Sequence, residues 1–372
     1  MYIGIDCREL TGKLTGIGRI LNDFFSSVSS KNTGHKFILF GNQDTYLEDE
    51  FFNKNIFQKV FIPERITLLW DQVKLKKMLD EYKIDVFFSP YYKIPFLTKT
   101  KTILSIFDVT YLLVKPYTNY FKNKFYIKNF IKLASKKTKK IITCSNYTKN
   151  DLLKTLNLPK DKLEVVYLGV SPKFKTIHEK NKIELVKKKY EINKKYILYV
   201  GNFKPHKNVK RLIEAYNLLP ETIKQEYDLV LGGGEPKRSV IDDKRLGPSD
   251  LQYIIYVGHI LEEDLPALYS GAELFIFPSL YEGFGLPPLE AMACGCPVAS
   301  SNTSSMPEVL DDAALFFDPY DVEEMSKAFK RMLEDENLRN RFRQKGLARA
   351  KLFTSEKTTK KLISLFESVY GN

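Results

Sequence analysis

No run in this 372-residue chain approaches the ~18 consecutive apolar residues of a membrane-spanning helix, so the expectation is a protein that does not cross a bilayer. The N-terminus, MYIGIDCREL, does not have the pattern of a signal peptide, because acids and an arginine follow at once; it is expected to be a first strand. Cysteine is scarce, at Cys7, Cys144, Cys294 and Cys296. The last two form Cys-x-Cys with no second pair and no nearby histidine. That argues against zinc and for small buried residues in a protein of the reducing cytoplasm. Repeats at solenoid spacing and low-complexity tracts are also lacking.

One absence is local. Between Asp108 and Asp151 there is no acid at all, while ten lysines fall there. The formal net charge of +13 belongs to the first half alone: residues 1–175 carry 30 Lys+Arg against 16 Asp+Glu, and residues 176–372 carry 28 against 29. The stretch 117–140, YTNYFKNKFYIKNFIKLASKKTKK, has aromatic and aliphatic residues at roughly three- to four-residue spacing and a stripe of Lys124, Lys128, Lys132 and Lys136. Three readings compete. It is a helix with one face in the core and its lysines in water, or a surface for anionic lipid headgroups, where each lysine contributes on the order of 1 kcal/mol. The third is nucleic-acid backbone binding, which needs stacking aromatics in an exposed groove or a known module; neither is present, so no nucleic-acid partner is expected.

What is present is an ordinary globular composition, 44% hydrophobic and 28% charged, over a length that suggests two domains at about 150 residues each. The most informative stretch is Glu273 to Ser301, ELFIFPSLYEGFGLPPLEAMACGCPVASS. Leu274 to Phe277 is a short buried strand that Pro278 ends. A loop with Gly283 and Gly285 follows, and Pro287 and Pro288 suit the first turn of a helix that stops near Gly295. This places a helix N-terminus at the end of a parallel strand, where anions and above all phosphate bind. Glu282 in the loop and Glu290, expected in the first helical turn, flank it. Taken singly, one is a solvated loop acid and the other a first-turn acid that favours the helix dipole.

Together, the two glutamates eight residues apart in this Gly/Pro frame resemble the signature of the family 4 retaining glycosyltransferases, which use nucleotide-sugar donors. The resemblance covers nearly the whole chain and is strongest from Tyr196 to Asp318. It implies an α/β, GT-B architecture: two Rossmann-like doubly wound domains facing an interdomain cleft. The expected division is 1–175 as acceptor-binding domain, with a C-terminal crossing helix 354–372, and 190–353 as donor-binding domain.

Residue by residue, the resemblance implies a diphosphate-holding segment in YILYVGNFKPHKNVKRLIEAY, with Gly201 at the turn, Asn202 where many members carry an arginine, and Lys207 as the retained cation. A lysine at a helix start opposes the dipole and so calls for an anionic partner; Lys204 is placed to supply the charge lost at Asn202, and His206 shapes the loop. Glu282 is expected to orient the sugar, with the amides of Gly283, Phe284, Gly285 and Leu286 holding it and the phosphates, and Glu290 to bind the ribose. The segment from Gly258 to Ile260 is expected to read the base, and Gly16 to let the first domain approach the diphosphate. The strand Thr102 to Phe107 commonly ends in His-Asp in this family. Here Phe107 stands at the histidine position, followed by Asp108 as a catalytic-site residue. An apolar side chain there suits a donor sugar without a 6-hydroxyl, a deoxyhexose or pentose, because an unpaired buried polar group costs about 1–3 kcal/mol. The alternative is that the sugar's polar end is wetted from elsewhere.

No Asp-x-Asp occurs, so no metal or other cofactor is expected beyond the nucleotide-sugar co-substrate. The expected partners are a nucleotide-sugar donor, a glycan or lipid-linked acceptor, and an anionic membrane surface, with the protein cytoplasmic or peripheral on the inner face of the cell membrane. Two other classes stay open: a nucleotide-sugar epimerase on the same fold, and a non-catalytic nucleotide-sugar or membrane-binding protein.

Overall fold

The computed structural model describes residues 1–11, 16–30, 33–47, 55–114, 121–234 and 251–371, the side chains of 121–124 excepted. The chain divides into two compact units. The first holds the residues up to Leu113, the segment ending at Gly169 and the C-terminal stretch from Ser355; the second holds Val170–Thr354.

The first unit is a seven-stranded parallel sheet: β1 Tyr2–Asp6, β2 Lys36–Gly41, β3 Phe57–Phe61, β4 Val86–Ser89, β5 Lys101–Ser105, β6 Lys140–Thr143 and β7 Leu163–Val165, in the order β3-β2-β1-β4-β5-β6-β7. Successive strand residues point to opposite faces, and the two cores follow that alternation. Phe37 and Leu39 pack with Ile3, Val86 and Phe88 on one face, under Phe24 and Phe25 of the Gly16–Ser29 helix. Ile38, Phe40 and Phe87 pack on the other, against Leu75, Leu79 and the single tryptophan. The last helix, Ser355–Gly371, seats Leu362, Leu365, Phe366 and Val369 on the first face, with Phe366 edge-on to Phe24 at 6.2 Å.

Two parts of this unit differ from the sequence expectation. β3 falls in residues 41–63, which show no period: it is an edge strand with only Val60 buried, so no alternation was there to read. The stretch LEVVYLGV, 163–170, reads as one strand in the sequence, but β7 has three residues; its last ladder bond is Val166 N–H to the Thr143 carbonyl, after which Tyr167 and Val170 turn to Thr358 and Phe353. Trp70 is fully buried, its indole N–H bonded to the Ile62 carbonyl at 2.9 Å.

The second unit has six parallel strands: β8 Lys195–Val200, β9 Tyr227–Gly232, β10 Ile254–Gly258, β11 Leu274–Phe277, β12 Val298–Ser301 and β13 Ala314–Phe317, in the order β10-β9-β8-β11-β12-β13. This is the 3-2-1-4-5-6 winding of dinucleotide-binding sheets. One face, with Ile197, Tyr199, Leu229, Leu231, Leu274 and Ile276, is covered by the helices Val209–Asn217 and Val322–Glu334. β11 is buried along its whole length, which is why it is apolar at every position. All four cysteines are buried free thiols.

Candidate active site

In a doubly wound sheet, ligands bind beyond the carboxyl ends of the two strands where the order reverses. In the second unit those are the neighbours β8 and β11. β8 runs out into Gly201–Asn208 and β11 into Pro278–Gly285, and the loops are tied where Leu280 N–H donates to the His206 carbonyl at 2.7 Å. There Lys207 Nζ donates to Glu282 Oε1 at 2.5 Å, with side chains only 13% and 15% exposed. The ammonium also lies 5.4 Å from the centroid of the Phe277 ring. A cation and a carboxylate 75 residues apart in sequence are thus brought to one place by the topology.

Each loop is built to hold its charge still. Lys207 ends a single 3-10 turn, Pro205–Lys207, and Asn208 after it adopts a left-handed conformation, φ 60°. The Asn208 side chain donates to the Pro319 carbonyl at 2.7 Å and accepts from Arg211 at 2.9 Å. Asn202 accepts from Lys204 N–H at 3.2 Å, and its carbonyl takes the Tyr199 hydroxyl at 2.8 Å. Burial, with the Glu282 charge second, pushes the Tyr199 phenol well up, so it stays a neutral donor.

Glu282 is framed by a run of hydroxyls after β12, a segment that none of the sequence motifs above includes. Its N–H donates to Ser304 Oγ at 3.1 Å, and Ser305 Oγ donates to the carbonyls of Glu282 and Phe284 at 3.0 and 3.1 Å. Ser305 is fully buried. The density of hydroxyls in Ser300-Ser301-Asn302-Thr303-Ser304-Ser305 was the signal available.

Gly285 stands before the Leu286–Ala293 helix with φ 93°, and a Cβ there would lie 2.4 Å from Met306 Cε. The helix begins at Leu286, one residue ahead of the first proline, so Glu290 falls in the second turn. The expectation of a first-turn acid is corrected on this point. Glu290 is 4% exposed and its Oε2 accepts the Tyr269 hydroxyl at 3.2 Å. Gly283 and Phe284, which follow Glu282, are buried, and the Phe284 ring packs edge-on against Phe353 at 5.8 Å.

The carboxyl ends of β8, β9 and β10 are stitched together by glycines. Gly201 N–H donates to the Gly232 carbonyl at 2.9 Å, and Gly233 N–H to the Gly258 carbonyl at 2.7 Å. Gly233 has φ 110°, and a Cβ on it would sit 2.4 Å from the Gly201 carbonyl oxygen, so only glycine fits. Ile260 is buried against Gly232.

Gly16 and Asp108 belong to the first unit. Gly16 is the exposed first residue of its helix; the part of its loop at 12–15 lies outside the described residues. Asp108 is exposed and accepts the Thr110 N–H at 2.9 Å, while Phe107 packs partly buried against the Ile3–Ile5 core. Among the described residues, no group of three or more His, Cys, Asp and Glu is placed to hold a metal ion.

The sequence family described as "Glycosyltransferase Family 4" matches residues 31–174, and the one described as "Glycosyl transferases group 1" matches 182–349. The two glycosyltransferase matches lie one after the other and together run over most of the chain. Among curated proteins, this chain is 35% identical over 230 residues to the O-antigen chain mannosyltransferase B of Escherichia coli, a match covering 62% of this chain and 60% of that protein. It thus spans less than two thirds of the length of the curated relatives it first matches. Its fold is that of solved GT-B structures. A sucrose-phosphate synthase of Thermosynechococcus elongatus aligns with TM-score 0.78 at 18% identity, over 100% of this chain and 99% of that one. Anabaena HepE, solved in complex with UDP-glucose, aligns with TM-score 0.77 at 15% identity, over 99% and 100%.

Proposed function

We propose that this chain transfers a hexosyl group, with retention and without a metal ion, from a nucleotide-sugar donor to a glycan or lipid-linked acceptor in cell-surface polysaccharide synthesis. The observation that carries the reading is the Lys207–Glu282 pair at the β8/β11 reversal point, on the loop that leads into the Leu286–Ala293 helix. The chemistry must neutralise a departing nucleoside diphosphate. A lysine ammonium and a helix N-terminus held in a largely dry place are preorganised for that charge, usually a large catalytic contribution. Glu282 is a hydrogen-bond acceptor for sugar hydroxyls, and Glu290, one helical turn further in, for the ribose. With no nucleophile assigned, the working mechanism is same-face displacement: the C1–oxygen bond to the diphosphate breaks, the acceptor oxygen bonds C1 from that face, and its proton passes to the leaving phosphate oxygen.

Mannose is the first donor sugar to test, because the E. coli relative is named for it. Mannose carries a 6-hydroxyl, which favours the second reading of Phe107, a polar end wetted from elsewhere, over a deoxy donor. On the acceptor side, the Phe121–Lys137 helix buries Ile131 and Ala134 but leaves Phe125 and Tyr126 about two-thirds exposed, with Lys136 and Lys137 exposed about three turns further along it. Exposed aromatics among lysines suit an anionic membrane surface that carries a lipid-linked acceptor. Salt-insensitive liposome binding, or none with anionic lipid, counts against that part.

The test of the main reading is transfer from a panel of UDP-, GDP- and dTDP-sugars. Lys207→Ala is expected to lose at least ~10-fold in turnover, about 1.4 kcal/mol; a wild-type rate removes the assignment. Isomerised donor without acceptor consumption would instead support the epimerase reading.

A further inference from the structure

The first unit has a reversal point of its own, between β1 and β4, and a cavity of about 200 Å³ opens there. Asp6, Arg8 and Glu9 come from the end of β1, and Tyr91 and Lys93 from the end of β4. Glu64 and Thr67 close a third side. The cavity is below the roughly 300–1,000 Å³ of drug-sized ligand pockets, so it encloses one ring and not a chain.

Its chemistry is set by Arg8, whose guanidinium lies 3.6 Å over the Trp70 ring. Arg8 Nη2 donates at 2.6 Å to both Asp6 and Asp71, Nε donates to Asp6 at 3.0 Å, and Nη1 stands 3.6 Å from Glu64. The arginine's charge is therefore already divided among three carboxylates. Asn42 and Thr67 donate to Glu64 at 2.7 Å each, so that acid too is fixed in place. An anionic ligand such as a phosphate would face Asp6, Glu9 and Glu64 with no uncommitted guanidinium. A compact cation would face Arg8 and Lys93. A neutral polyol conflicts with neither: its hydroxyls donate to carboxylate oxygens, which only accept, and to the Thr67 oxygen, whose own proton goes to Glu64, and they accept from the lysine. Tyr91, half-buried with its phenol pushed up to about 12 by burial and then by Glu9, remains a neutral donor with an apolar ring face for sugar C–H groups.

The geometry points to a binding site in the first unit for one neutral, non-phosphorylated sugar ring. If the transferase reading holds, on which this part rests, that ring is the acceptor end. The experiment uses the full chain without donor, titrated with a panel of neutral methyl hexosides and the matching hexose 6-phosphates, and followed by saturation-transfer NMR. At least one neutral hexoside is expected to bind, with its phosphate at least ~10-fold weaker. Glu9→Gln and Tyr91→Ala, with folding checked by circular dichroism, are each expected to weaken it at least ~5-fold, and Lys327→Ala, on an exposed helix face of the other unit, to leave it unchanged. Tighter binding of the phosphate, no binding of any hexoside, or indifference to both pocket variants overturns the inference. Hexoside binding in a chain that transfers no sugar upholds it and removes only the transferase reading. Active transfer whose acceptor KM ignores both variants does the reverse.

Discussion

Replacing Glu282 by glutamine keeps the side chain's shape and removes its charge, and the structure assigns opposite signs to its two effects. Lys207 is held by this carboxylate at 2.5 Å with both side chains largely buried. An arriving diphosphate needs that ammonium, so it must compete with Glu282 and also meets its negative charge. An exposed pair is worth about 0–1 kcal/mol, and breaking a fully buried one costs about 3–5 kcal/mol. A pair this nearly enclosed falls between them, which puts the release of Lys207 at roughly 1–2 kcal/mol. Glu282→Gln is therefore expected to bind a nucleoside diphosphate roughly 5- to 30-fold more tightly, while transfer falls at least ~10-fold for want of a charged acceptor to orient the sugar. Calorimetric titration with GDP and UDP, beside initial rates, separates the two. Weaker diphosphate binding in Glu282→Gln refutes the reasoning, since it would mean the carboxylate positions Lys207 more than it competes for it.

Ser305→Ala removes the one hydroxyl that bonds both the Glu282 and Phe284 carbonyls; a loss of about 1–3 kcal/mol in urea unfolding is expected, with kcat falling more than donor KM rises, and equal changes in both would argue for mere destabilisation. Gly233→Ala forces a Cβ to 2.4 Å from the Gly201 carbonyl at φ 110°, and a loss of more than about 2 kcal/mol is expected; an unchanged urea midpoint would contradict the geometry. Burial pushes the Glu64 carboxyl up, but hydrogen bonds from Thr67 and Asn42 and the charge and hydrogen bond of Arg8 outweigh it, leaving the pKa below the usual 4.5. The stability this gives is fully present above pH 4.5 and is lost as pH falls through the depressed value. Glu64→Gln should flatten that acid-side loss in thermal melts between pH 5 and 3, and an identical slope would count against the pairing.

The parts of the fold that sequence exposed were those buried on both sides. β11 is apolar at each position because each position is covered, and Ser145, of a residue type that favours helix N-caps, accepts the Thr148 N–H at 3.0 Å before the Asn146–Leu156 helix. β3 was hidden for the opposite reason: an edge strand mostly exposed has no pattern to show. In the 117–140 stretch, the three- to four-residue spacing groups Ile127, Phe130, Ile131 and Ala134 on one face, and these are buried or half-buried, whereas Phe125, Tyr126 and Leu133 fall outside that spacing and are exposed. Residues 117–120 of that stretch lie outside the described part. At the site, Glu282 and Lys207 were named through a family resemblance, whereas their direct contact is a product of strand order, which local spacing does not encode. Ser304 and Ser305 were missed because hydroxyls that bond backbone carry no periodic signal.

The measurement that bears most directly on the central claim is a crystal structure of the full chain with a nucleotide sugar bound. The account predicts the diphosphate within hydrogen-bond distance of Lys207 Nζ, at the start of the Leu286–Ala293 helix, with the Lys207–Glu282 contact opened and Glu282 on a sugar hydroxyl. A nucleotide bound elsewhere while Lys207 and Glu282 remain paired would contradict it.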